Sequence, residues 1–332
     1  MAFNRETFTI YDEEYHTGAA EEIQRAAIDL NEAAGNSMAL TTQRMRGEFM
    51  RESFFKDIEG MIRDRDPNDL SDSTADDLTM GEEVSAKIHK SIHVEKTLNA
   101  FSALGNDARD FSFTVGAIQG KRMAVDYMDT AIASVSAAIR SEDSMKYDAT
   151  QTEDRKTISP ANLNRIKKRM GDQAQRVRAW VMDSTMLHDL VEENIESKIT
   201  NVADVSIVTG TAASLGLPVI MTDSPYLLNE DPAGDGSEPD EHFVLGLTER
   251  AVEAIEAEER AVLAETVGGK ANLVGRIQSE FAVINKVAGC AYTGGEHPTT
   301  ADLADPSNWE FAVTDPKSGP GVMGVFNAIE EV

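Results

Sequence analysis

From Val115 to Arg140, the residues Ile118, Ala124, Tyr127, Ala131, Ile132, Val135, Ala138 and Ile139 recur mostly at steps of three and four. That period marks one face of an α-helix. At 1.5 Å of rise per residue the segment is a rod of roughly 39 Å, and any fold for this chain has to accommodate it. Thr114 stands where an N-cap belongs, its hydroxyl able to accept an amide hydrogen of the first turn.

The segments around the rod are of mixed type. The polar, acidic stretch up to about Asn36 contains a helix over Gly18–Ala34, with Ile23, Ala27 and Leu30 on one stripe, Glu21 and Glu22 near its positive end, and Gly35 as its stop. Gly47–His93 reads differently. Its middle, Asp64–Asp77, is strongly acidic, carries Pro and Ser and has nearly no apolar residue, so it is expected as an exposed loop or hairpin tip. The flanks Phe54–Ile62 and Val84–Ile92 can pair as the two sides of a long excursion.

After the rod, Ser159 as N-cap, Pro160 at the first helical position, basic residues in the last turns and Gly171 as stop define a second helix. Ala179–Thr222 alternates strand, helix, strand, and Asp231–Glu241 is an acidic loop. Leu247–Glu265 is rich in helix-favouring Glu, Arg and Ala, while the alternation in Phe243–Ala254 favours a strand; on the residues alone both stay open. Leu273–Tyr292 reads as one or two long strands and Gly321–Phe326 as a last one, and no internal repeat is present. With 332 residues, 41% of them hydrophobic, the chain can bury the core of one large domain or two smaller ones.

Charge narrows the function. Asp and Glu number 58 against 31 Lys and Arg, a net charge of −27. General nucleic-acid binding needs Lys and Arg to displace counterions from phosphates, so it is disfavoured here. Copies of such a chain repel one another, and any self-assembly needs salt or cations to screen the contacts. Cys290 is the only cysteine, which excludes an intrachain disulfide and a Cys-based zinc cluster and fits a reducing compartment. The opening MAFNRETFTIYDEE has no basic-then-apolar pattern of a signal peptide. The longest weakly charged run, Val205–Thr222, is interrupted by Gly210, Gly216 and Pro218, so no membrane span is expected.

The chemical motifs fail on context. Gly319–Gly324, GPGVMG, has the letters of a dinucleotide fingerprint but too little chain after it for the helix and ribose acid. Asp64–Ala75 resembles a calcium loop, yet Asp69 and Ala75 replace the required Gly and bidentate Glu. His89 and His93 are four apart, as on one helix face, without a third ligand evident in the sequence nearby. GxSxG and Walker patterns are absent, and GGKA lacks the upstream glycine and the Ser/Thr. Arg165, Lys167, Lys168, Arg169, Arg176 and Arg178 form the densest basic cluster, expected to complement a helix C-terminus and pair with the surplus carboxylates. At the strand-to-helix corner Arg176–Ile195, Ser184 with His188 is one conceivable hydrolase pair, but no orienting acid or oxyanion donor is specified, and Asp183 or Ser184 reads as the cap of a helix Thr185–Glu193. No catalytic, cofactor-binding or metal-ligating residues are assigned, and the chain is not expected to be an enzyme.

Four stretches together are informative. Glu52–Asp66, ESFFKDIEGMIRDRD, is similar to the segment opening the extended loop of tailed-phage major capsid proteins. Ala179–Val191, AWVMDSTMLHDLV, resembles their axial strand and helix, with Asp183 where His is usual. Leu215–Leu227, LGLPVIMTDSPYL, resembles the next strand and turn, with Leu217 in place of Arg. Ala271–Ala312, with its GGEHPT and NW, resembles the closing strand and signature. These stand in family order between about residues 47 and 326.

The resemblance implies an α+β capsid fold, shared with encapsulins. It has an N-terminal arm over 1–46 and an extended loop over 47–95. A peripheral domain covers 96–145 and 271–332 with a spine helix over 115–140, and an axial domain covers 146–270. It also favours strand for the Glu-rich segment. The function it implies is that of a major capsid protein, assembling as pentamers and hexamers into an icosahedral head that encloses double-stranded DNA without sequence-specific binding. Implied partners are further copies of the chain, a scaffolding protein, the portal and head-completion or decoration proteins, with no membrane; implied locations are the host bacterial cytoplasm during assembly and then the virion. Phe54, Phe55, Ile58, Met61 and Ile62 are the expected apolar anchors of the extended loop on a neighbouring subunit. An encapsulin-type compartment shell is the alternative, and a Ser184–His188 hydrolase the rival from another class.

Overall fold

The long helix is present, and it starts seven residues before the expected Val115. The computed structural model describes residues 8–56, 67–68, 78–104, 107–151, 156–191, 199–202, 205–208, 214–230, 232, 239–258 and 260–328. The helices are α1 (Asp12–Ala33), α2 (Leu98–Phe101), α3 (Ala108–Arg140), α4 (Pro160–Arg169), α5 (Ser184–Val191) and α6 (Thr300–Ala304). The strands before residue 200 are β1 (Met38–Thr42), β2 (Phe49–Phe55), β3 (Met80–Thr97), β4 (Lys146–Asp148) and β5 (Val177–Met182), followed by β6 (Ile199–Val202). Then come β7 (Val205–Val208), β8 (Val219–Met221), β9 (Leu228–Asn229), β10 (Glu241–Thr248) and β11 (Val252–Glu256). The last are β12 (Ala261–Val267), β13 (Val274–Val287), β14 (Cys290–Tyr292), β15 (Trp309–Phe311) and β16 (Gly321–Asn327).

At 33 residues α3 is about 50 Å long. Its N-cap is Asp107, whose Oδ1 accepts from the amides of Arg109 and Asp110, both at 2.9 Å. Thr114, the expected cap, lies one and a half turns inside. Periodicity missed the first turns because a cap is decided by a local carboxylate and not by the apolar stripe. The other helix ends follow the sequence: Gly35 ends α1 at φ +60°, and the Ser159 hydroxyl accepts from the Asn162 amide at 3.2 Å with Pro160 beginning α4.

Two eight-stranded sheets hold the rest. The first has the order β1–β11–β13–β3–β14–β15, with β12 added on β13 and β2 on β3. The second has the order β4–β16–β10–β5–β8–β7–β6, with β9 on β10. Sheet membership does not follow the expected break at residue 270. β11 and β12 join the sheet of β3 and β13, while the last strand, β16, crosses back to lie between β4 and β10. The Glu-rich segment is therefore strand. Val252, Ala254 and Ile255 are buried between β1 and β13, and this pairing overrides the helix propensity of the flanking Glu and Ala.

The middle and C-terminal half of α3 runs through the shared core. Met123, Tyr127, Ile132, Val135 and Ile139 join one buried cluster with Trp180, Val244 and Leu245 of the second sheet and Phe281 of the first. Tyr127 meets Phe281 edge-on, ring centres 5.8 Å apart, and the Trp180 indole donates to the Ser214 carbonyl at 3.1 Å. The N-terminal end of α3 has a smaller cluster of its own with Leu98 and Ile277, in which Phe8 stacks on Phe101 and Phe111 meets Phe101 edge-on. Here α1 lies along α3. The fully buried Tyr15 of α1 donates to Gln119 of α3 at 2.6 Å, and Gln119 also accepts from Ser279 of β13 at 2.7 Å. Ile23 is buried as its place on the α1 stripe requires; the Leu30 side chain lies outside the described residues.

Candidate assembly surface

β3 is 18 residues long, about 60 Å at strand spacing. Residues 87–97 are paired to β13, and residues 80–86 carry β2 antiparallel, from Phe49 opposite Ala86 to Phe55 opposite Met80. The expected pairing of Phe54–Ile62 with Val84–Ile92 is not the one formed: Val84–Ala86 lie opposite Phe49–Arg51, the rest of that flank pairs with β13, and 57–62 lie outside the described residues. In the ribbon Glu52 stands directly opposite Glu83, a repulsive placement. Lys286 of β13 resolves it, its ammonium 2.5 Å from Glu52 and 3.5 Å from Glu83. Burial alone would lower the pKa of Lys286; its bonds to the two carboxylates and their charge outweigh that and raise it.

The far end of the ribbon is apolar and open. Phe55 is 63% exposed, its cross-strand partner Met80 61%, and Leu78 52%. Phe54 is placed differently: it is half-buried, with its ring lying over Gly81, where an added Cβ would come within 2.6 Å of the ring edge. Ile58, Met61 and Ile62 lie outside the described residues, as does nearly all of Asp64–Asp77.

His89 and His93 lie on strand β3 and not on a helix. His93 has Gln278 as its register partner. His89 has company that the sequence did not reveal: Glu48, just before β2, and His297, in the connection between β14 and α6. Glu48 Oε2 lies 2.9 Å from His89 Nε2 and 3.3 Å from His297 Nδ1, with the two rings 5.8 Å apart. The hydrogen bond from His89 holds the Glu48 carboxyl below its usual range, and the charges of His89, His297 and Lys87 add to this. Three segments distant in sequence meet here, which no short motif can signal.

At the strand-to-helix corner, Asp183 accepts the Met186 amide at 2.9 Å and so caps α5 as expected. Its other oxygen faces the buried His242 of β10 in a tight hydrogen bond. Ser184 donates its amide to Asp223 at 3.0 Å, His188 is exposed, and no hydrogen bond joins the two among the described residues. Among the described residues the pairing of the basic cluster with surplus carboxylates is formed at one position. Arg165 donates to the Tyr147 hydroxyl and Asn162, and Arg176 to Gln173 and the Lys317 carbonyl. Of the six, Arg178 alone meets a carboxylate among the described residues, Glu249 at 3.8 Å. Lys167, Lys168 and Arg169 instead fill the last turn of α4, where free carbonyls favour cations. No helix of the described residues is long and apolar enough to cross a membrane.

The fold has known counterparts. The capsid of Ralstonia phage GP4 superposes with a TM-score of 0.52 at 10% sequence identity, covering 89% of this chain and 88% of that one. The capsid asymmetric unit of cyanophage Pam1 gives 0.49 at 12% identity, covering 87% of each. The first likeness establishes a phage-capsid fold for the chain. No curated protein matches the sequence. The family model described as Gp13-like, major capsid protein 13-like, matches residues 7–323. With nearly its whole length so matched, the chain belongs to that family and is a major capsid protein, a structural subunit of a phage shell.

Proposed function

We propose that this subunit closes its shell by laying the β2–β3 ribbon, and the connection between Phe55 and Met80, onto a neighbouring copy. The observation that carries the reading is the open apolar end of the ribbon. Phe55, Leu78 and Met80 expose apolar area together at the point where the chain leaves its own core, and grouped exposure of that kind marks a contact surface. A thin shell needs each subunit to reach past its own body, because a permanent contact buries on the order of 800 Å² or more per partner. Head-to-tail contacts of this kind close into rings, here pentamers and hexamers, and rings close into a shell.

In this reading residues 1–46 are the arm, 47–95 the extended loop, and α3 the spine of a peripheral domain built on the first sheet. The axial domain is the second sheet, residues 146–248 together with 321–327. Ile58, Met61 and Ile62 extend the apolar contact begun by Phe55, while Phe54 supports the ribbon from within. The shell holds double-stranded DNA without reading its sequence, which the acidic balance suits, since a wall that gripped phosphates would resist filling and emptying. Assembly takes place in the host bacterial cytoplasm with a scaffolding protein, a portal and head-completion or decoration proteins.

The test pairs Phe55→Ser with Met80→Ser in one variant and trims Asp64–Asp77 to a short turn in a second. Both should fold, with circular dichroism and melting close to the parent, because neither change touches the buried clusters. Both should fail to form closed shells in negative-stain electron microscopy and elute as small species. Normal shells from both variants would remove the ribbon from the assembly contact.

A further inference from the structure

We propose that Glu48, His89 and His297 form a binding site for a divalent cation of the zinc type, with three protein ligands and a fourth position open to water. The donor set fits: two imidazole nitrogens and one carboxylate oxygen are the ligand types that zinc and its neighbours in the first transition row accept, and three protein ligands leave one site for solvent. The spacing fits as well. With metal–ligand distances of about 2.0–2.2 Å, the ligands of a tetrahedral centre stand about 3.3–3.6 Å from one another. Glu48 Oε2 lies 2.9 and 3.3 Å from the two imidazole nitrogens, and all three ligand atoms fall within 4.8 Å of one another. A small separation of the rings from the carboxylate admits the ion.

The frame that carries these side chains is ordered by other contacts. His89 lies mid-strand in β3, opposite Ala282 of β13. The Glu48 carbonyl accepts the Lys87 amide at 2.8 Å, which fixes the chain just before β2. His297 sits in a left-handed turn at φ +56°, unusual for a side chain with a Cβ, and that turn directs it to the other two. The Lys87 ammonium is engaged by Glu258 at 2.8 Å and so opposes a bound ion less. A bound ion ties the root of the ribbon, its return strand and the connection after β14 at one point. That consequence rests on the ribbon reading; the site itself does not.

The experiment strips the purified protein with a chelator and titrates Co2+, reading the visible absorption of a tetrahedral cobalt centre, and then displaces it with Zn2+. One equivalent per chain should bind and be displaced by Zn2+. His89→Ala and His297→Ala should each weaken binding at least tenfold, and Glu48→Gln should weaken it as well. His93→Ala, four residues along the same strand, should leave it unchanged. All four positions are replaced in a chain whose circular dichroism checks the fold. Absence of a saturable cobalt band, or equal binding by the His89→Ala/His297→Ala double variant, overturns the site and assigns any residual cobalt to the acidic surface. The readout needs no shells, so a failure here is distinct from a failure of the assembly reading.

Discussion

Asp183 serves two structures with its two oxygens. One caps α5 through the Met186 amide, and the other holds the buried His242 of the second sheet. Burial acts to lower the His242 pKa, but the hydrogen bond and charge of Asp183, with Asp240 and Asp189 adding, outweigh it and raise it above the ordinary 6.5. A group with a raised folded pKa gives stability that is complete below its unfolded value and is lost as pH rises through the folded one. Urea unfolding of the parent and of His242→Gln should therefore differ most at or below pH 6.5, with the gap narrowing as pH rises beyond it. A gap that is constant with pH would mean the pair is not held as ions. Asp183→Asn should cost about 3 kcal/mol, since it strands a buried imidazolium and weakens a cap.

At the level of elements, the crossing of α1 on α3 is set by small residues. A Cβ on Gly116 would lie 2.2 Å from the Tyr15 carbonyl oxygen, and one on Gly120 would lie 2.6 Å from the Ala19 carbonyl oxygen. From the other helix, a Cβ on Gly18 would lie 2.4 Å from the Phe113 carbonyl oxygen. These obstacles are backbone and cannot swing aside, so the helices must separate to admit any side chain. Gly116→Val should destabilise by about 2–3 kcal/mol through overpacking, a fall in melting temperature of about 5 °C or more, and should free the Tyr15–Gln119 hydrogen bond. Differential scanning calorimetry reads the first, and an unchanged melting temperature would mean that α1 is not packed as described. Periodicity located both helices, yet helix propensity penalises these glycines; only the crossing explains them.

For the whole molecule the dominant quantity is the charge of −27. Each subunit brought to a shell adds to a field that opposes the next. Raising ionic strength shortens the screening length, about 10 Å at 0.1 M and about 3 Å at 1 M, so shell yield measured by light scattering and microscopy should rise from low to moderate salt. Equal yields across that range would remove repulsion as the brake on assembly. The ribbon itself shows how the chain manages like charges at close range: Lys286 sits between Glu52 and Glu83.

What the sequence determined by itself was local. The spine helix, the stop at Gly35, the cap at Ser159 and the strand-to-helix corner at Asp183 were all readable, because each depends on a period or a cap within a few residues. The family was readable too, from motifs in order along the chain. The tertiary structure decided what depends on contacts far apart in sequence. It took the Glu-rich segment into a sheet through burial between β1 and β13, and returned β16 to the second sheet. It separated the exposed Phe55 from the half-buried Phe54, although the two are adjacent and chemically alike, because successive side chains of a strand face opposite ways. It also gathered Glu48, His89 and His297 at one point. Such meetings follow from strand register and burial, which are properties of the whole packed chain, and no window of sequence contains them.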